Sequence, residues 1–174
     1  PRFRFEILDE NGDLIDPTCG VADFTAGNGA AKDWATIDKG SSHIQYKPWT
    51  VMGLNLEAYD GQTITIRATT YDCGWSAHFG YAYFTLGCAA AKIYCTSCGE
   101  ESEMTLAAPL GFDYEWFDKY DQPVPASMLS DNGRSLHVAP SDTTTYRCHL
   151  SYKEEKTCGF DLYSAAYPSF PISE

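Results

Sequence analysis

The chain has 174 residues, with 12 basic and 24 acidic side chains and a formal charge of −12; 44% of its residues are hydrophobic and 14% aromatic. That much apolar material builds a packed core and excludes intrinsic disorder, while the acidity argues against nucleic acid as a partner and against an anionic membrane surface. No apolar run reaches the roughly 18 residues that span a bilayer, so membrane insertion is not expected, and Pro1-Arg2-Phe3-Arg4 lacks the apolar centre of a signal peptide, which implies a start inside a longer protein.

Arg2 to Leu8 alternates strictly, with Phe3, Phe5 and Ile7 on one face and Arg2, Arg4 and Glu6 on the other. A strand is expected there, closed by a hairpin turn at Asp9-Glu10-Asn11-Gly12. Asp9, Asn11 and Asp13, followed by Asp16, also carry the alternate oxygen spacing of a calcium loop. Leu14 and Gly20 occupy the positions where such a loop needs its turn glycine and its bidentate glutamate, so a plain turn is the sounder reading. Val21 to Trp34 comes nearest to a helical period but contains two glycines, Gly27 and Gly29, and helix content is expected to be small. Weaker strand signals lie at 43–47 and 51–56. Thr63 to Tyr71 alternates clearly after the turn at Tyr59-Asp60-Gly61-Gln62. Phe79 to Leu86 is short, aromatic and interrupted by glycine, and reads as a further strand.

Beyond Cys88 the composition changes through Ala89-Ala90-Ala91 and a polar run, which places a domain boundary near Lys92. Residues 1–92 carry 7 basic and 11 acidic groups and residues 93–174 carry 5 and 13, so the halves hold −4 and −8. Strands are expected at 103–108, 111–117, 135–138, 143–151 and 156–163, with an Asn132-Gly133 turn before the third of these. Short strands divided by Gly, Pro and Asn-Gly indicate β-sandwiches, here two in tandem.

The seven cysteines, Cys19, Cys73, Cys88, Cys95, Cys98, Cys148 and Cys158, are all disulfide candidates. So many in one chain point to an oxidising compartment, outside the cell or on its surface. The odd number leaves one thiol over, or pairs it with a cysteine outside this chain.

Two resemblances refine this picture. Ser141 to Cys148, with Tyr146 two positions before the cysteine, is similar to the late strand of an immunoglobulin-like domain, in which that tyrosine bonds the backbone upstream. Met104 to Pro109 and Phe112 to Trp116 fit its facing strands, with Trp116 as the core indole. Ala107 or Ala108 stands where the partner of the inter-sheet disulfide normally sits. A bridge from Cys148 to Cys158, across a hairpin turning at Lys153, is the expected replacement. In the first half, Lys47-Pro48-Trp49-Thr50, Gly53 to Leu56, Tyr59 to Ile66, Tyr71-Asp72-Cys73 and His78 to Tyr83 together resemble a jelly-roll-like module. That module belongs to surface and gliding-motility-associated adhesin-like proteins of Bacteroidetes, where immunoglobulin-like repeats follow it. The resemblance implies an all-β pair, a jelly-roll-like β-sandwich over 1–92 that holds the later part of a larger module, and an immunoglobulin-like β-sandwich over 93–174. It also implies a non-enzymatic role in cell adhesion or display toward a glycan or protein partner, without a cofactor.

The chemistry-bearing residues support no catalytic assignment. Cys95-Thr96-Ser97-Cys98 is half of a zinc pattern, and only Cys148-His149 and Cys158 remain to complete it. Asp72, Cys73 and His78 lie close together, but a cysteine nucleophile must be an unpaired thiolate, at odds with a cysteine-rich oxidised domain. Tyr71, Trp75, His78 and Phe79 are the candidates for stacking on a sugar or gripping a protein, with Tyr81 and Tyr83 expected to fill a sandwich core. A carbohydrate-binding accessory module and a structural spacer are the alternatives to an adhesin fragment.

Overall fold

The computed structural model of the protein describes residues 1–27, 34–72, 74, 79–88, 90–97, 103–151 and 158–168. It is all-β: the helical elements among these residues are three single 3-10 turns at Glu57–Tyr59, Ala126–Met128 and Asp131–Gly133. The chain divides into two compact units, one formed by Pro1–Thr50 with Leu56–Gly87, the other by Val51–Asn55 with Cys88–Glu174.

The first unit contains β1 (Arg2–Leu8), β2 (Val21–Thr25), β3 (Ala35–Lys39), β4 (Ser42–Tyr46) and β5 (Thr65–Tyr71). β1 lies between β2 and β5 in an antiparallel sheet, and β3 and β4 form a separate hairpin. The alternation of β1 decides which side chains share a face. Phe3 sits opposite Phe24 and Thr70, and Phe5 opposite Ala22 and Ala68, which makes one face apolar; the Phe3 and Phe24 rings stack 6.3 Å apart. The other face is an ionic ladder. Glu6, only 5% exposed, accepts from Arg67 Nε at 2.7 Å and pairs with Arg4 at 3.0 Å, while Asp23 pairs with Arg2 and Arg4. Hydrogen bonding from Arg67 holds the Glu6 carboxyl below its ordinary pKa despite the opposing cost of burial.

The Asp9 turn forms as a turn. One carboxylate oxygen accepts the backbone N–H of Asn11 at 2.9 Å and of Asp13 at 2.8 Å, and Gly12 takes φ +87°. These bonds, that from Asp13 foremost, lower the Asp9 pKa. The calcium-like spacing of Asp9, Asn11 and Asp13 is thus the spacing of an aspartate that caps its own hairpin turn. A second such turn follows, in which Asp16 Oδ1 accepts the N–H groups of Thr18 and Cys19, both at 2.8 Å. Gly20 closes it: a Cβ there would stand 2.7 Å from the Asp16 carbonyl oxygen.

In the second unit, β6 (Tyr94–Ser97), β7 (Met104–Ala107), β10 (Ser135–Val138) and β9 (Leu129–Ser130) form one antiparallel sheet in that order, and β12 (Gly159–Ala166), β11 (Thr144–Ser151) and β8 (Asp113–Phe117) form another. The arrangement is sandwich-like. Leu106, Leu136 and Val138 from the first sheet share one buried core with Trp116, Cys148, Leu150 and Leu162 from the second. The Trp116 indole satisfies its N–H on the Gly133 carbonyl at 2.8 Å, as a buried tryptophan must. Asp131, Asn132 and Gly133 all have positive φ, which makes the tight turn that presents that carbonyl.

Several expectations are corrected. Tyr146 packs against the core, and burial raises its phenol pKa, but among the described residues its hydroxyl has no hydrogen-bond partner. The backbone tie is made by Tyr114, whose hydroxyl donates to the Pro109 carbonyl at 2.8 Å and accepts from Gly111 N at 3.1 Å. The Cys148–Cys158 bridge does not form. Cys148 lies opposite Leu162 and Trp116 in register and is a buried thiol, with its pKa pushed up to about 12 by burial. Cys88 is an exposed thiol, not a half-cystine, and Cys95 is exposed, whereas Cys19 and Cys158 are disulfide-bonded. Cys73 and Cys98 lie outside the described residues, as does the turn expected at Lys153. No strand forms at 79–86 or 51–56, and β2, β3, β6 and β9 appear where none was expected.

Candidate functional site: an exposed aromatic segment

The site is built at the Arg2 end of β1. Tyr71, the last residue of β5, sits opposite Arg2 in register, and the Arg2 guanidinium lies over its ring, 5.2 Å from the centroid. The same guanidinium donates through Nε to Asp23 Oδ1 at 2.6 Å and makes a second contact with Oδ2. This bidentate pair raises the Arg2 pKa and lowers that of Asp23. The pair neutralises itself, so the charge beside Tyr71 is already balanced.

The chain returns to this end of the strand at Gly80. A Cβ on Gly80 would stand 2.9 Å from the Pro1 Cβ, so the close approach requires glycine. On either side of that contact the side chains turn outward. Phe79, Tyr81 and Tyr83 are 75%, 70% and 79% exposed. Their rings form a continuous row: Phe79 and Tyr81 lie 6.3 Å apart and 19° from parallel, and Tyr81 and Tyr83 meet edge to face at 5.6 Å and 78°. Phe84 and Leu86 are exposed as well, and no charged residue occurs from Phe79 to Ala91.

Tyr71 and Phe79 therefore stand at one end of one sheet, linked through Arg2 and Pro1. Trp75 and His78 lie outside the described residues, as does Cys73, so that of the Asp72, Cys73 and His78 constellation Asp72 alone is described. Tyr81 and Tyr83, expected in a core, face solvent. The reason is physical: with no neighbouring strand on 79–86, neither face of the segment has a sheet to pack against, and period-2 patterning has nothing to bury.

Two polar groupings in the second unit had no local sequence signal. His137 bridges strands, with Nδ1 3.1 Å from Thr105 Oγ1 and Nε2 2.7 Å from Ser130 Oγ, so both ring nitrogens are satisfied by hydroxyls. Arg147 lies 3.9 Å over the Phe117 ring and pairs with Asp121 and Asp161, and Asp161 also meets His149 Nδ1 at 2.7 Å. These contacts join residues far apart in sequence through strand register. Both groupings tie strands together and have no free reacting atom. Among the described residues no group of three or more His, Cys, Asp or Glu side chains is placed to hold a metal ion, and no helix is long and apolar enough to cross a membrane.

No protein-family model, curated protein or solved structure matches the chain. The class that fold and site define is thus an all-β protein of antiparallel sheets, bearing disulfide-bonded cysteines and an uncharged aromatic row open to solvent.

Proposed function

We propose that the chain is a non-enzymatic binding and display piece of a secreted or cell-surface adhesin-like protein, and that it contacts a glycan or protein partner through residues 79–86. The observation that carries this reading is the row Phe79, Tyr81 and Tyr83, three rings each at least 70% exposed, with Tyr81 beside both of the others. Exposed rings in a row stack on the apolar faces of sugars or enter a partner's pocket, and the tyrosine hydroxyls supply polar edges. The disulfide-bonded Cys19 and Cys158 support an oxidising location. The buried Trp116, the unequal sheets and the strand order of the second unit support an immunoglobulin-like reading of that unit, and the antiparallel sheet of the first supports a jelly-roll-like module.

A carbohydrate-binding accessory module is the second reading, favoured by the near-parallel Phe79 and Tyr81 rings, which offer a flat stacking surface. A spacer has no use for such a row. The test is an array of neutral and acidic oligosaccharides probed with the intact chain. Binding that is lost in the Phe79→Ala, Tyr81→Ala, Tyr83→Ala triple variant is the expected result; binding retained by that variant would overturn the assignment of the segment.

A further inference from the structure

Among its described residues the second unit has sheets of unequal size. A four-stranded sheet faces a three-stranded one across the shared core, and Cys95, which lies opposite buried Leu106 in register, is itself exposed. The core is therefore open along β6. Sheet edges are normally protected, and three of the four here are. β9 has two residues; β6 has four, with a register shift between Cys95 and Ser97; and the outer side of β8 is closed by the Phe117–Pro123 bridge and the bond from Val124 N to the Trp116 carbonyl at 3.0 Å. β12 is the exception. It runs for eight residues with no bulge, proline or basic residue, and no described strand pairs with its outer edge. Its one charge, Asp161, is engaged by Arg147 and His149 of β11, on the side away from that edge.

The same chain carries a segment suited to that edge. Residues 79–86, Phe-Gly-Tyr-Ala-Tyr-Phe-Thr-Leu, are eight in number, uncharged, free of proline and rich in strand-forming aromatics, yet they pair with no strand. β5 also has an open edge and lies only a few residues upstream, and the segment does not fold back on it. We infer that residues 79–86 of one copy add as a strand to the outer edge of β12 in a second copy. This rests on the reading of 79–86 as the contact segment and names its partner. Main-chain hydrogen bonds along β12 would give the affinity, and alternate side chains would extend the core beside Phe160 and Leu162. Such a contact joins different surfaces on the two copies, so repetition builds rings or open chains, as suits a display protein.

The test uses the intact chain, with sedimentation across a wide concentration range and backbone amide exchange at its two ends. The expected result is a mass that rises with concentration together with slowed exchange at 79–86 and 159–166. Tyr81→Pro, which removes a donor from an exposed unpaired segment, and Tyr163→Lys, which places a charge on the β12 edge, should each weaken self-association by about tenfold or more. A mixture of the two variants should form a one-to-one pair, because each retains the half the other lacks. Unchanged Trp116 fluorescence confirms that the variants are folded. A wild-type chain monomeric at every concentration, association with protection elsewhere, or Tyr81→Pro associating like wild type through a symmetric β12 contact would each overturn the inference. Glycan capture through 79–86 by a strictly monomeric chain defeats this inference alone, whereas association through elements other than 79–86 defeats the reading of that segment as the contact as well.

Discussion

Cys148 lies directly opposite Leu162 on β12, four residues beyond Cys158, and this register places its thiol in the core, out of reach of the cysteine expected to oxidise it. The thiol pKa is pushed up to about 12 by burial, so almost no reactive thiolate exists near neutral pH. Alkylation of the folded chain followed by mass spectrometry should modify exposed Cys88 readily. Cys148 should react about a thousandfold more slowly until denaturant is added. Rapid labelling of Cys148 in the folded chain would contradict this register.

Trp116 fills the centre of the second unit and spends its only polar group on the Gly133 carbonyl. Trp116→Phe leaves that carbonyl unpaired and a gap beside Leu136 and Leu150. A loss of about 1–3 kcal/mol is expected in urea unfolding. Trp116→Ala should cost more, about 3–5 kcal/mol.

Acid should loosen the first unit. The Glu6 carboxyl, lowered chiefly by its hydrogen bond from Arg67, ionises more readily in the folded chain than in the unfolded one. Its contribution is therefore complete above about 4.3, the ordinary glutamate value, and is lost as pH falls from there through the depressed folded value. Asp23, lowered by Arg2, and Asp9, lowered by the backbone N–H of Asp13, act in the same direction. Urea midpoints at about pH 6 and about pH 3.5 should differ more for wild type than for Glu6→Gln, which should be the weaker of the two at the higher pH.

Gly20 closes the turn that carries Cys19, and a methyl group there would press on the Asp16 backbone at 2.7 Å. Gly20→Ala should destabilise the chain by about 1–3 kcal/mol and slow the oxidation of Cys19 during refolding, measured by the urea midpoint and by thiol loss with time.

Strict alternation made β1 legible from its sequence, because one period-2 pattern states both which faces exist and which is apolar. The same pattern misled at Phe79 to Leu86. Alternation shows that a segment suits a sheet, but a strand also needs a neighbour for its backbone groups, and none pairs with this one. Val21–Thr25 failed in the opposite direction: five residues before a glycine-containing stretch carry too little pattern, and only pairing with β1 reveals the strand. Cysteine pairing was illegible for a related reason. Cys148 and Cys158 are close in sequence, but the register of β11 and β12 separates them. The stacking candidates were found in part: Tyr71 and Phe79 stand at the site, while Tyr81 and Tyr83, assigned to a core, are its most open members beside Phe79.

Contact through the aromatic row should be visible ring by ring in a binding titration. Phe79→Ala, Tyr81→Ala and Tyr83→Ala would be compared with wild type against the best-bound oligosaccharide of the array, with Trp49→Ala, an equally exposed ring outside the row, as control. A loss of about tenfold or more is expected for Tyr81→Ala, with smaller losses at its neighbours and none at Trp49. Equal binding by wild type and all three row variants would contradict it.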